Sequence, residues 1–373
     1  MEREYKDYMK CICYIDHLSN GGAQRVMSIL ANALAERGYE VVLITDIRLS
    51  EYKEYLIDKR IKRVILHSDS KRRKISRNTL RLYLLRKYIK KEKPQVVISF
   101  LGGCNIRMLI STIGIHVKKI VSVRSDPNRE YGTSLIVKQI VNNLFKKADG
   151  VVFQTKGAME YFANKIKQKS TVILNPISDD FYFEEINVNQ ENNIIFVGCL
   201  RPEKNVQMLI RAFSQIADEN DYKLLICGDG PEKSVLNNLV RNLHLEDRVI
   251  FRGHVDYIRD ELKRSKIFVL TSDYEGMPNA LMEAMAMNMA CIATDCPCGG
   301  PKELALRGDE LVLVPAGNDN ALSKQLRLVI GNDNLRMELA NNAKKRAEDF
   351  RTNIICDQWE VYIDRIVNDR KMV

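Results

Sequence analysis

A chain of 373 residues is long enough for two domains of ordinary size, and 45% hydrophobic with 28% charged residues is the balance of a soluble globular protein. No apolar run approaches the roughly 18 residues of a spanning helix, residues 1–10 lack a signal-peptide core, and the cysteines form CxC pairs (Cys11/Cys13, Cys296/Cys298) but no CxxC, which sets aside membrane spanning, secretion and the common zinc sites. The formal charge of +10 is uneven, with +10 in residues 1–93, +6 in 94–180 and −6 in the rest, so one half faces a polyanion or an anionic surface and the other does not.

The first half alternates strand and helix. Residues 10–15 read as a strand in which Cys11 and Cys13 act as small apolar residues. Residues 18–22 form a loop. Helical periodicity follows over 23–37 through Val26, Ile29, Leu30, Ala33 and Leu34, and Gly38 caps it. Strands are expected at 41–45 and 63–66, and a helix over 79–91 stops before Pro94. Apolar strands at 95–100, 120–123 and 150–154 complete a parallel sheet covered on both faces.

Residues 71–93 hold eleven Lys or Arg against one acid, Glu92, with Leu82, Leu85 and Ile89 at helical spacing. A basic amphipathic helix of this kind suits an anionic membrane surface. Each Lys or Arg beside anionic lipid is worth about 1 kcal/mol. The alternative is that the stripe packs on its own domain. No aromatic–basic interleaving and no nucleic-acid motif occur, so a nucleic-acid partner is not expected.

After a polar, acidic connector at 178–193, a second alternation begins. Strands are expected at 194–197, 224–227, 249–252, 267–271 and 291–294. Helices are expected at 206–217, 232–243, 258–265, 279–289, 334–348 and 354–367. Glycines cluster at strand ends, where open α/β sheets bind ligands: Gly21-Gly22, Gly102-Gly103, Gly198 and Gly228-Asp229-Gly230. None fits GxGxxG and no GxxxxGK[ST] occurs, which argues against a dinucleotide enzyme or a P-loop nucleotidase.

One stretch carries more chemistry than the others. Glu275-Gly276-Met277-Pro278-Asn279-Ala280-Leu281-Met282-Glu283 lies between an apolar strand and a helix. Pro near a helix start loses no hydrogen bond. The loop aims free N–H groups at whatever lies above the strand end, which suits a phosphate. Glu275 and Glu283 bracket that position, as the two ends of a nucleotide-sugar would require. The plain alternative is that Glu283 serves only the helix dipole.

Taken together, the motifs resemble those of bacterial glycosyltransferase family 4. Asn20-Gly21-Gly22-Ala23-Gln24-Arg25-Val26 resembles its opening GGAERV-type loop, and 196–205, from Phe196 through Gly198 to Lys204 and Asn205, its phosphate-binding segment. Cys227-Gly228-Asp229-Gly230-Pro231 is similar to its GxGP turn, 275–283 to its EX7E motif, and 295–303 to a segment of its capsule and lipid-linked oligosaccharide branch. The resemblance runs from about residue 10 to 320. It implies a GT-B fold of two doubly wound Rossmann-like domains facing across a cleft: residues 1–176, joined by the C-terminal helix 354–373, and residues 177–353. It also implies retention of anomeric configuration, no cofactor and no required metal ion.

The family's roles fall on this chain as follows. Glu275 would bind the donor sugar, and Glu283 the ribose. The amides of Gly276, Met277, Pro278, Asn279 and Ala280 mark the segment that holds the sugar and distal phosphate. Lys204 would neutralise the diphosphate, and Gly21, Gly22, Gly198, Gly228 and Gly230 let backbone approach it. The chain departs from the family at Cys199, where many members carry Arg. Arg201, two residues on and pointing the same way in an extended segment, is the candidate replacement. No His aligns with the cleft His of many members. Arg124, in a segment similar to the SERND-P of the amino-sugar and capsule branch, and His17 are acceptor-side candidates, and Thr155 is a possible lining residue.

The expected activity is transfer of a hexose or N-acetylhexosamine from a nucleotide-sugar, most simply UDP-linked, to a lipid-linked saccharide or polysaccharide. The enzyme is expected to be cytoplasmic and peripheral on the inner membrane face through residues 71–93. Two alternatives stand beside it: an enzyme using GDP-mannose or a soluble acceptor, and a silent membrane-associated GT-B scaffold.

Overall fold

The computed structural model describes residues 9–19, 21–49, 52–66, 74–182 and 190–368. Asn20 of the first loop, residues 71–73 of the basic segment, most of the connector (183–189) and residues 369–373 lie outside them. The chain divides into two compact units, Met1–Pro176 with Thr352–Val373, and Ile177–Arg351.

Seven strands build the first unit: β1 (Lys10–Ile15), β2 (Glu40–Thr45), β3 (Lys62–Ile65), β4 (Val96–Phe100), β5 (Lys118–Val123), β6 (Gly150–Phe153) and β7 (Ser170–Val172). Its helices are α1 (Gly22–Glu36), α2 (Lys74–Glu92), α3 (Gly102–Ser111), α4 (Pro127–Glu130), α5 (Leu135–Phe145), α6 (Lys156–Met159) and α7 (Asn164–Lys167). The sheet is wholly parallel in the order β3-β2-β1-β4-β5-β6-β7, with Ile12 level with Val42 on one side and Val97 on the other. Near-continuous apolar strands are what burial on both faces demands. Right-handed crossovers then sort the helices. From β1 to β2 the chain moves one way along the sheet, and from β3 to β4 to β5 to β6 the other way. So α1 covers one face, while α2, α3 and α5 lie side by side on the opposite face.

The second unit contains β8 (Asn193–Val197), β9 (Lys223–Cys227), β10 (Val249–Gly253), β11 (Ile267–Leu270), β12 (Ala290–Asp295) and β13 (Val312–Pro315), parallel in the order β10-β9-β8-β11-β12-β13. Its helices are α8 (Val206–Ser214), α9 (Lys233–Asn242), α10 (Ile258–Arg264), α11 (Asn279–Ala286), α12 (Gly300–Leu304), α13 (Asp319–Gly331) and α14 (Asp333–Ala347). The Asn205 side chain accepts from Met208 N at 3.3 Å and so starts α8, whose Val206, Leu209, Ile210 and Phe213 face the core.

The last helix, α15 (Thr352–Asn368), belongs to the first unit. Its Trp359 is 0% exposed, with ring centroids 5.6 Å from Phe100, and Ile355 and Ile363 join Val26, Leu30 and Leu34 of α1 in the same core. Arg37, just past α1, pairs with Asp357 and Glu360 of α15.

Several expectations are corrected here. The basic helix begins at Lys74 rather than 79, and its apolar stripe turns inward: Leu85 and Ile89 are buried and Leu82 is half-buried. Its outward positions include Tyr83, Lys87, Lys90 and Lys91. Thr155 caps α6 by accepting from Ala158 N at 2.9 Å, which gives its hydroxyl a structural task. Of the Gly102-Gly103 turn, Gly102 is occupied from within: the Glu130 carboxylate accepts from Gly102 N at 2.5 Å, and a Cβ on Gly102 would collide with Glu130 and Tyr131.

Candidate active site

In each sheet the strand order reverses once, between β1 and β4 and between β8 and β11. The loops that leave those strands at their carboxyl ends diverge and open a crevice.

In the second unit the diverging loops are 198–205 after β8 and 271–278 after β11. They are stitched together. Thr271 Oγ1 donates to Lys204 O at 3.0 Å, Asp273 N to Glu203 O at 2.8 Å, and Asn205 Nδ2 to Asp273 Oδ1 at 2.9 Å. Across this seam Lys204 Nζ forms an ion pair with Glu275 Oε1, which also accepts from Ser272 Oγ at 2.8 Å. Both side chains are mostly shielded from solvent. Beyond them α11 begins at Asn279 with Pro278 in the capping position and no side-chain cap. Its first N–H groups therefore lack intrahelical partners. Gly276, Asn279 and Ala280 are half-buried, Met277 and Pro278 are buried, and Glu283 is buried farther along the same helix.

Three glycines are required by close backbone approach. Gly228 has φ +147° and lies against the Gly198 carbonyl, and Gly300 lies against the Gly276 carbonyl; a Cβ at either would collide with that oxygen. Gly230 packs on Leu200 O in the same way. Gly228 and Gly230 thus bring the β9 loop onto the β8 loop, and Gly300 brings the segment after β12 onto the β11 loop.

Cys199 and Arg201 are exposed while Leu200 between them is buried, the alternation of an extended segment. Arg201 lines a cavity of about 80 Å³ with Asn205, Gln207 and Glu232. Lys204, not Arg201, is the cation on Glu275.

The first unit has its own crevice, between the β1 and β4 loops. A cavity of about 310 Å³ is lined there by Asp16, His17, Asp46, Arg81, Gly103 and Arg107 among others. Arg107 Nη2 donates to Asp46 Oδ2 at 2.7 Å and its Nε to the Tyr14 hydroxyl at 2.8 Å, and that hydroxyl donates to Asp46 Oδ1 at 2.7 Å. Arg81 Nε lies 3.6 Å from the same carboxylate. Burial pushes the Asp46 carboxyl above its ordinary value, against the pull of Arg107. Asp16 accepts from His17 N at 2.8 Å and from Gln24 Nε2 at 3.1 Å. Ser19 N donates to His17 Nδ1 at 3.2 Å, which leaves Nε2 to carry the proton of a neutral ring. Gly21 precedes α1 and Gly22 opens it, and the Gly21 carbonyl accepts from the Tyr55 hydroxyl at 3.3 Å.

Of the sequence candidates in this unit, His17 lines the cavity and Arg124 does not. Arg124 is buried, stacked 4.3 Å over the Phe100 ring, and donates to Asn175 Oδ1 at 2.7 Å. Burial pulls its guanidinium down to about 9. Asp16, Asp46, Arg81 and Arg107 were not legible as a set. They come from four separated segments, and only the strand order brings them together.

Residues 20–181 match the family described as Glycosyltransferase Family 4, and residues 178–346 match Glycosyl transferases group 1. A Campylobacter jejuni protein named GalNAc-alpha-(1->4)-GalNAc-alpha-(1->3)-diNAcBac-PP-undecaprenol alpha-1,4-N-acetyl-D-galactosaminyltransferase is 30% identical over 96% of this chain and 99% of its own length. The amylovoran biosynthesis glycosyltransferase AmsD of Erwinia amylovora is 26% identical over 94% of this chain and 98% of its own. Anabaena HepE, solved in complex with UDP and glucose, superposes with a TM-score of 0.79 at 17% identity, covering 96% of this chain and 100% of that one. With two parallel-sheet Rossmann-like domains and these relatives, the chain belongs to the GT-B glycosyltransferases of family 4 and group 1.

Proposed function

We propose that this glycosyltransferase moves a hexose or N-acetylhexosamine, with retention of configuration, from a UDP-sugar to a lipid-linked saccharide or polysaccharide. The observation that carries the reading is the Lys204–Glu275 pair beside the uncapped start of α11. In the reaction the acceptor oxygen bonds to the anomeric carbon as the bond from that carbon to the β-phosphate oxygen breaks. The acceptor's proton passes to the departing phosphate. Negative charge then grows on the diphosphate, where Lys204, Arg201 and the N–H groups around 276–280 would meet it. Glu275 would accept from sugar hydroxyls and Glu283 from the ribose. Donor binding exchanges the internal Lys204–Glu275 pair for two pairs to ligand: cation to phosphate and carboxylate to hydroxyl.

The acceptor class is supported by the undecaprenol-linked substrate in the Campylobacter relative's name and by the amylovoran biosynthesis in the Erwinia relative's. UDP as the leaving group is supported by the UDP bound to HepE. The polar cavity of Asp16, His17, Arg81 and Arg107 offers donors and acceptors for the hydroxyls of the acceptor's terminal sugar. Among the described residues no helix is long and apolar enough to cross a membrane. Reach to a lipid-linked acceptor at the inner membrane face would come through the outward lysines of α2, within residues 71–93.

Nucleotide release tests the reading. UDP-glucose, UDP-galactose, UDP-GlcNAc, UDP-GalNAc and GDP-mannose are each incubated with the protein and an undecaprenyl-diphosphate-linked saccharide. UDP release that needs the acceptor supports it. Release only from GDP-mannose would remove the UDP assignment, and no release from any donor would favour a silent scaffold. Excess EDTA leaves the rate unchanged if charge stabilisation is metal-free; a rate abolished by EDTA and restored by Mg²⁺ or Mn²⁺ would overturn that part.

A further inference from the structure

The apolar stripe of α2 is spent on the core, yet the helical layer it belongs to is not bare of exposed apolar groups. They stand on α5. Leu135 is 82% exposed, Ile136 73% and Ile140 55%, with Val137 exposed beside them. The spacing of Ile136, Val137 and Ile140 puts them on one outward stripe, while Val141, Asn142 and Phe145 face the sheet. Soluble surfaces seldom concentrate large aliphatic residues in this way without a partner.

The charges around the stripe identify the partner. Lys146 and Lys147 follow α5 and are exposed. On the same face of the sheet α2 turns Lys87, Lys90 and Lys91 outward, together with Tyr83 at 63% exposure. The helices α2, α3 and α5 contain a single acid, Glu92, which is buried and paired with Lys10 and Lys62. A groove of about 320 Å³ runs beside α5 between Lys138 and Lys146, and Glu160 on its wall pairs with Lys167 at 2.5 Å. An aliphatic ridge framed by cations with no free acid complements an anionic bilayer: acyl chains for the ridge, headgroup phosphates for the lysines. A second copy on a twofold axis would set lysines against lysines.

We propose that the α5 ridge, Leu135, Ile136, Val137 and Ile140, inserts into the surface of an anionic lipid bilayer, with Lys146, Lys147 and the outward lysines of α2 on the headgroups. The biological use rests on the lipid-linked acceptor reading above, but binding to lipid is measured without donor or acceptor, so either can fail alone.

The test is co-sedimentation of the full chain with vesicles of equal parts phosphatidylglycerol and phosphatidylcholine at low salt, and with phosphatidylcholine alone. The wild type is expected to bind the mixed vesicles and not the neutral ones. The exposed double substitution Ile136→Asp/Ile140→Asp should lower the bound fraction about tenfold or more without moving the melting temperature. Lys146→Glu/Lys147→Glu should weaken binding and flatten its salt dependence. An Ile140→Trp variant should shift its emission to the blue on the mixed vesicles only. The proposal is overturned by a wild type that ignores the mixed vesicles, by a double variant that binds them normally, or by a wild-type dimer that the double variant dissolves. Acceptor-dependent UDP release in detergent, measured on the same variants, reports separately on the transfer reaction.

Discussion

Lys204 and Glu275 are held by each other and by the two loops they stand on, so each is placed before any donor arrives. A charge-assisted hydrogen bond is worth about 1.5–3 kcal/mol. Lys204→Ala should therefore raise the Kd for UDP by roughly 10- to 150-fold in calorimetry. An unchanged Kd would remove Lys204 from the diphosphate. Arg201 is a different case, because it is exposed and lines a small cavity with Glu232 rather than the Glu275 seam. If it replaces the cation missing at Cys199, Arg201→Ala should slow turnover by about tenfold or more with the fold intact. Near-normal turnover would leave Lys204 and the α11 amides to stabilise the departing charge alone.

The helices show where charge stabilises structure instead of substrate. Glu92 ends α2 buried between Lys62 and Lys10, which reach it at 2.7 and 2.9 Å and so clamp the helix to β3 and β1. Lys62 first and Lys10 second hold its carboxyl below the ordinary value. The native chain then binds fewer protons than the unfolded chain between the two values. The stabilisation is present above the unfolded value of about 4.3 and is lost as pH falls through the folded one. Glu92→Gln should lower the melting temperature at pH 7 and narrow its gap to the wild type as pH falls below about 4. Equal gaps at both pH values would show that the clamp contributes no charge term. At the same scale, some elements were legible and others were not. Apolar runs such as Val96–Phe100 and Ile267–Leu270 announce buried strands because both their faces are covered. The helices α3 and α5 were missed for opposite reasons. The first opens in Gly102-Gly103, a turn signal, and the second carries aliphatic residues on its outer face, where periodicity assigns polar ones. In α2 periodicity found the stripe but could not tell a core from a membrane as its partner. The EX7E segment was readable because it is local; the Asp46–Arg107–Arg81 cluster was not, because parallel topology assembles it from afar.

For the whole molecule, charge and sheet order divide the work. The basic unit carries the cation-rich helical layer, and the acidic second unit carries the Lys204–Glu275 seam at its own reversal of strand order. The C-terminal helix belongs to the first unit, so its packing is a long-range stabiliser of that unit. Trp359→Ala removes a fully buried indole and should cost about 3–5 kcal/mol. That corresponds to roughly 6–20 °C in the melting temperature of a unit of this size. A shift of only a degree or two would mean that α15 docks without its tryptophan.

That same indole has a spectroscopic consequence. The chain contains one tryptophan, and it is sealed against Phe100 in the first unit. Tryptophan emission, excited where tyrosine does not absorb, is therefore a private signal: it reddens when the C-terminal helix leaves its sheet and stays silent about the fold of residues 177–351. UDP at a hundred times its Kd would stabilise the protein that binds it by about 2.7 kcal/mol. Calorimetry, which sees both units, would register that shift, whereas emission would register it only if the two units melt together. One tryptophan, by its position, thus converts a ligand titration into a measurement of how tightly the two halves are coupled in unfolding.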